Sequence, residues 1–231
     1  MTLEEIIHLK HSTEVLLADR VLDDLIAAAS KSNNHDVRDA AKVLEAWDRS
    51  LDANSQGAVL FQLWVWWTPE NEELFAQPFS RDDPLGTPRG LANPGAAAAR
   101  LGEVVSYIKS LGGSSDVAWG DVFRLKSPMF DLPANGGADP LGVLRATYFE
   151  EQAGTYQMVA NGGDSFVAAV EFGADMRAQA LLSYGNFTES VPARVQSQLP
   201  LYADKKLRDV HLWGSTTVSD EVTLRESINL R

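Results

Sequence analysis

Gly112-Gly113 divides the chain between two incompatible hydrophobic periods. Before it, apolar residues recur three and four apart, the spacing of a helix with one buried face. Val15, Leu16, Val21, Leu22, Leu25 and Ile26 follow this pattern, as do Val37, Ala40, Ala41, Leu44 and Trp47. After it, short runs rich in β-branched and aromatic residues alternate with Gly/Asn/Asp turns, the texture of strands. These runs are Leu141 to Phe149, Tyr156 to Ala160, Phe166 to Phe172 and Ala178 to Tyr184. Helices first and strands later predict an α+β fold. Residues 1–113 form the helical segment and 114–231 the strand-rich one, together one incomplete domain rather than two independent ones.

Local signals place the elements. Thr2 and Glu5 have capping-box spacing and open a helix through about Lys10. Ser12 or Thr13 starts the next helix, which ends at Ser30 to Asn34, and Asp36 begins the third. Ser55 is read as the N-cap for Ala58 through Trp67, stopped by Thr68-Pro69. Residues 78 to 95, rich in Pro, Gly and Asp, read as a long surface loop. Pro94 then opens a helix that Gly112-Gly113 closes. The strands are expected to be mostly antiparallel and in sequence order. Pro192 to Leu207 is expected to be helical only in pieces, because Pro200 interrupts it. The tail from Val218 carries no clear signal.

Composition excludes several functions. The 231 residues carry a net charge of −12, which argues against a nucleic-acid backbone or an anionic membrane surface as partner. There is no cysteine, so thiolate nucleophiles, disulfides and Cys-based zinc sites are absent. No apolar run approaches the roughly 20 residues that span a bilayer.

His8 and His11 are three apart, but Lys10 lies beside them and would repel a cation; His35 and His211 stand alone. Asp19, Asp23 and Asp24, and Glu70, Glu72 and Glu73, read as solvated carboxylates. Asp82-Asp83 is the least implausible calcium position, although no EF-hand loop is present. Asn161-Gly162-Gly163-Asp164 lacks the lysine or following helix of a phosphate loop and reads as a hairpin turn. Asn135-Gly136-Gly137 reads as a turn, with a cleft loop as the alternative. Trp64, Trp66 and Trp67 suggest an aromatic binding platform, but Phe61, Leu63, Trp64 and Trp67 also fit a buried helix face, and core packing is the reading preferred. Thr2 would be exposed by loss of Met1, but a helix cap is the wrong place for an N-terminal nucleophile, which needs a buried strand.

Several blocks in order carry a family resemblance. They are Trp47-Asp48 with Ser55 to Phe61, Trp119-Gly120-Asp121-Val122, Leu132 to Gly137, Asn161 to Phe166, Ser183-Tyr184-Gly185-Asn186, and Gln198-Leu199-Pro200-Leu201. Together they resemble the C-terminal part of the β chain in the penicillin acylase family, nearest its acyl-homoserine lactone and aculeacin acylase branch. The family's serine-proline-histidine stretch is replaced here by Pro192-Ala193-Arg194, and its Asp-Gln pair by Ser197-Gln198. The resemblance implies an N-terminal-nucleophile hydrolase with an αββα sandwich, of which this chain would be the C-terminal portion. It implies hydrolysis of N-acylated small molecules of the acyl-homoserine lactone, lipopeptide or β-lactam type. The nucleophilic serine, the oxyanion asparagine and the structural calcium ligands are implied upstream, so no catalytic, cofactor-binding or metal-binding residue is assigned here. The implied partner is the rest of the acylase, in a heterodimer, and the implied location of the parent is periplasmic or secreted. The alternative reading is a stand-alone, non-catalytic binding or structural module derived from such an enzyme.

Overall fold

A computed structural model of the chain describes residues 1–70, 72–173, 176–183 and 198–210. Five helices build the first half: α1 (Leu3–Lys10), α2 (Leu16–Ala29), α3 (His35–Ala46), α4 (Ala58–Trp66) and α5 (Pro94–Ser110). The α1 capping box forms as its spacing predicts, with Glu5 N donating to Thr2 Oγ1 and Thr2 N donating to Glu5 Oε2 at 2.8 Å. In α5, Asn93 Oδ1 accepts from Ala96 N at 3.1 Å, proline occupies the first turn, and the chain leaves through Gly112 at φ +78°.

Two predicted helix starts shift, each because a tertiary contact takes the residues first. The second helix begins at Leu16, not at Ser12 or Thr13. Residues 13–15 are held extended against 49–51, where Val15 N donates to Arg49 O and Leu51 N to Thr13 O. Ser55 does not cap α4. Its hydroxyl donates to Asp48 Oδ1 at 2.6 Å and accepts from Trp47 Nε1 at 2.9 Å. Gly57 caps α4 instead, at φ +96°, and a Cβ there would lie 2.7 Å from Trp47 Cβ. Only glycine satisfies both constraints without strain.

The expected 78–95 surface loop is partly a hairpin arm. Strand β1 (Phe75–Gln77) pairs antiparallel with β2 (Arg89–Leu91). The second half opens with the short helix α6 (Trp119–Val122). It continues through β3 (Phe123–Ser127), β4 (Phe130–Pro133), β5 (Thr147–Glu151) and β6 (Met158–Gly163), which form one sheet in the order β4-β3-β6-β5. Within it β3 and β6 run parallel, through Phe123↔Met158 and Arg124↔Val159. A second sheet holds β7 (Phe166–Glu171), β8 (Arg177–Leu182) and β9 (Arg208–Asp209). Most pairs are antiparallel as expected, but the expected sequence order fails. A long-range pairing places β6 beside β3, and the chain then leaves this sheet for the next one after Gly163.

The predicted strand Leu141 to Phe149 shortens at its start. Leu141 closes a 3₁₀ turn (Asp139–Leu141), and Gly142 turns the chain at φ +75° before β5 begins. Helix α7 (Gln198–Ala203) contains Pro200 in third position, where a missing N–H costs little. The expectations for Tyr184 to Asn186, Pro192 to Ser197, His211 and the tail from Val218 lie outside the described residues.

One buried cluster joins the halves. Leu22, Leu25, Leu44, Phe61, Trp64, Leu101 and Val104 form its helical side, and Trp119, Phe123, Leu125 and Leu199 its strand side. Each fully buried side chain of this size contributes about 1.5–3 kcal/mol over leaving it in water. Trp119 stacks on Phe123 with ring centroids 3.7 Å apart, and Phe149 meets both edge-on. Backbone bonds from Trp119 N to Ser55 O and from Gly120 N to Ala53 O bind the halves at the same place.

Candidate functional site

Two features outside ordinary packing stand where the halves meet. The first is an apolar cavity of about 440 Å³ lined by α4, the C-terminal end of α5, α6 and the β5–β6 strands. Helix α4 reads AVLFQLWVW and is apolar nearly all round, so burying one face leaves hydrophobic residues on the other. Trp64 goes inward, fully buried, with Nε1 donating to Ala97 O at 3.0 Å. Trp66 and Trp67 go outward, 40% and 37% exposed, and line the cavity with Leu63, Tyr107 and Met158. The expected buried face therefore holds Trp64 but not Trp67. The outward indoles are held in place, Trp67 5.2 Å from the Tyr107 ring and Trp66 6.0 Å edge-on to Phe123.

The second feature is a buried polar node. Arg145 is fully buried, with its guanidinium 3.9 Å over the Tyr202 ring and Nη2 donating to Tyr202 O. Among the described residues its Nε and Nη1 find no hydrogen-bond partner, nor do Asn135 Oδ1 and His11 Nε2. Asn135 Nδ2 donates to Ala203 O at 2.8 Å, and the Thr147 and Tyr202 hydroxyls share a proton contact at 2.9 Å. Lys10 Nζ pairs with Asp164 Oδ2 at 2.5 Å, and Lys205 pairs with Asp52, which also accepts from Thr13 Oγ1 at 2.6 Å.

Electrostatics in the node follow from burial and from the excess of cations. Burial, together with Arg145, Lys10 and Lys205, brings the His11 imidazole down to about 4, only partly opposed by Asp164. Burial lowers the Arg145 guanidinium from its ordinary value and raises the Tyr202 phenol. Burial alone would raise the Asp52 carboxyl, but the hydrogen bonds from Lys205 and Thr13 outweigh it and hold the group below the usual range. His11 is thus a neutral, weakly basic ring. The Thr13 hydroxyl serves an ion pair, and Ser183 Oγ donates to backbone carbonyls of Asp164 and Ser165. Each hydroxyl is thus held as a hydrogen-bond donor.

The other sequence candidates resolve individually. His8 is exposed while His11 is buried, so the two do not converge. His35 Nδ1 lies 2.9 Å from Asp39. Arg49 bridges Asp19 and Asp23 at 2.8 and 2.7 Å, and Asp24 accepts from Leu91 N. Glu72 pairs with the buried Arg100, while Glu70 and Glu73 lie outside this pair. Asp83 caps its own turn through Gly86 N, and Asp82 N donates to Ser80 Oγ. Among the described residues no three His, Cys, Asp or Glu side chains converge to hold a metal.

Both glycine motifs depart from the turn reading. Asn161 to Gly163 is the end of β6, and Asp164 leads out of the sheet into the Lys10 ion pair. Asn135-Gly136-Gly137 is a buried loop segment in which Gly136 N donates to Leu51 O, Gly137 N donates to Arg145 O, and Gly137 bridges Ala146 in parallel. Sequence reasoning passed over Arg145 and Tyr202. A lone arginine within Leu141 to Phe149 was the available signal.

The family model described as penicillin amidase matches residues 1–216. The chain belongs to the penicillin amidase family. The acyl-homoserine lactone acylase PvdQ of Pseudomonas putida is 30% identical over 201 residues, which cover 84% of this chain and 25% of that protein. The acyl-homoserine lactone acylase PvdQ of Pseudomonas fluorescens is 29% identical over 206 residues, covering 85% of this chain and 26% of that protein. The chain thus spans about a quarter of the length of these relatives.

Proposed function

We propose that this chain is the C-terminal portion of the β chain of an acylase, a scaffold for an active site whose nucleophilic serine belongs to a segment outside it. The whole enzyme would hydrolyse the amide bond of N-acylated small molecules, with acyl-homoserine lactones as the first substrate class to test. The observation that carries the reading is the match itself, which takes in most of this chain but only a quarter of its relatives.

The β7–β8 hairpin supports a partner of that kind. Directly opposed residues share a face, and the pairs Phe166↔Leu182, Ala168↔Ala180 and Val170↔Ala178 make one face wholly apolar. Phe166 is 62% exposed and Val170 45%. The opposite face buries Val167, Ala169 and Leu181 on the side where α1 packs, and Arg177 reaches Glu4 there at 2.9 Å. β9 adds the exposed Arg208 opposite Ala180 on this face, and the apolar hairpin part beside it fits a second sheet from the remainder of the acylase, packed about 10 Å away. Structural calcium would be held by that remainder, and a periplasmic or secreted location is part of the same proposal.

Two measurements test it. DNA upstream of Met1, read in the same frame, should encode acylase sequence with a Gly-Ser processing junction. The purified 231-residue chain should not turn over a chromogenic acyl-amide. Turnover by the chain alone, abolished by Thr2→Ala, refutes the proposal.

A further inference from the structure

We propose that the cavity between α4, the end of α5 and the β5–β6 strands is an aromatic cage for a quaternary ammonium ion, a cation with no N–H to donate. The site uses only residues of this chain and breaks no bond in the ligand, so it stands or falls independently of the acylase reading.

The cage follows from the walls. Trp66, Trp67, Tyr107 and Tyr156 all line a space of about 440 Å³, within the roughly 300–1,000 Å³ typical of small-molecule sites. The Trp67 and Tyr107 rings are tilted 59° to one another, so they make two adjoining walls and not a stack. Trp66 is braced edge-on against Phe123. Each ring carries negative potential on its face, and a cation within about 6 Å of the centroid is attracted to it, most strongly over tryptophan. Because neighbouring rings already fix the two indoles, binding orders little that was free. Two adjacent tryptophans stay accessible here beside a core that buries Trp64 and Trp119 completely.

The sign of the ligand follows from charge. Among the described residues Glu151 is the one charged side chain lining the cavity. The C-terminal end of α5 enters the lining at Ile108 and Leu111, and a helix C-terminus carries partial negative charge. Ser114, also in the lining, donates its hydroxyl to Asp116, bringing a further carboxylate close by. The neighbouring lysines are engaged elsewhere. Lys109 pairs with Asp36 at 2.7 Å, and Lys126 holds the Gln152 and Gln157 side-chain oxygens at 2.7 Å and Asp131 at 3.4 Å. The Gly112 and Gly113 N–H groups are spent inside the α5 stop, donating to Lys109 O and Ile108 O, and so do not serve a ligand. Ring faces, a carboxylate and a helix C-terminus all favour positive charge. A metal ion or a primary ammonium is strongly hydrated and demands converging oxygen acceptors. A quaternary ammonium demands none and sets its methyl groups against apolar walls such as Leu63 and Met158.

The test is isothermal titration calorimetry on the full chain at pH 7.5 and constant ionic strength. Three probes separate charge from shape: choline, its neutral carbon isostere 3,3-dimethylbutan-1-ol, and ethanolamine, a primary ammonium of the same charge at this pH. Choline should bind saturably. The isostere and ethanolamine should each bind at least about tenfold more weakly, as expected for a weakly hydrated cation over partly desolvated rings. Trp67→Leu keeps that wall apolar but removes its ring, and should weaken choline at least about fivefold. Glu151→Gln removes the charge of an exposed side chain without touching the packing, and should weaken choline by about threefold or more. Absence of saturable heat with choline, or either comparison probe binding as tightly as choline, overturns the proposal. So does an unchanged choline affinity in Glu151→Gln or in Trp67→Leu, because the cation is then held somewhere else.

Discussion

Acidification from pH 7 to pH 5 should destabilise this chain through one side chain, His11. The imidazole is 5% exposed, so solvent screening offers little relief. Burial and the three cations around it bring its proton affinity down from 6.5 to about 4. The folded state therefore favours neutral His11, while the unfolded chain takes up a proton near pH 6.5. The stabilisation is fully present above that value and is lost as pH falls toward 4. At about 1.4 kcal/mol per pH unit the whole effect is roughly 3 kcal/mol, of which about 2 is lost by pH 5. Asp52 and Asp131 sit below the usual carboxylate range and so contribute losses only at lower pH. Denaturant midpoints measured at pH 7, 6 and 5 and constant ionic strength read the effect directly. His11→Gln removes the titrating ring at a position whose Nε2 already lacks a partner, and should flatten the profile between pH 7 and 5. A wild-type profile that is flat in this window would refute the reasoning. An unchanged slope in His11→Gln would do the same, by assigning the protons elsewhere.

Other perturbations read the packing. Trp64→Ala empties a fully buried indole site and removes its bond to Ala97 O, and should cost about 3–5 kcal/mol by chemical denaturation. Gly57→Ala forces a side chain into the left-handed region against Trp47 and should cost on the order of 1–3 kcal/mol, visible as a lowered Tm. Thr2→Ala deletes the α1 cap and should cost about 1 kcal/mol, measured as a shift in denaturant midpoint.

Residues whose partners lie within one turn were legible in the sequence. The Thr2–Glu5 box, the Pro94 start and the Gly112 stop of α5 all depend on neighbours a few positions away, and each forms where its spacing places it. The failures share the opposite property. Thr13 and Ser55 have local capping chemistry, but residues 49–51 and Asp48 compete for them and win. Strands β3 and β4 escaped notice although they form a local hairpin across Pro128-Met129; what the sequence could not show is that β3 finds its other partner, β6, some thirty residues later. The family blocks are legible for a related reason. Several of them, including Trp119 to Val122 and Leu132 to Gly137, are places where backbone and side chains must meet at one spacing.

By itself, then, the sequence determined the α+β class, the helical half's buried faces and membership in an acylase family. Helical periodicity and short turn motifs are local consequences of backbone geometry, and ordered blocks survive as sequence. Only the tertiary structure decided that Trp66 and Trp67 turn outward while Trp64 turns inward. It alone brought Arg145, Asn135 and Tyr202 into one node with His11, which lies more than a hundred residues before them in the chain. The reason is physical. Whether a side chain is paired, buried or left facing a cavity depends on what folds against it, and that neighbour is set by the packing of both halves on one core.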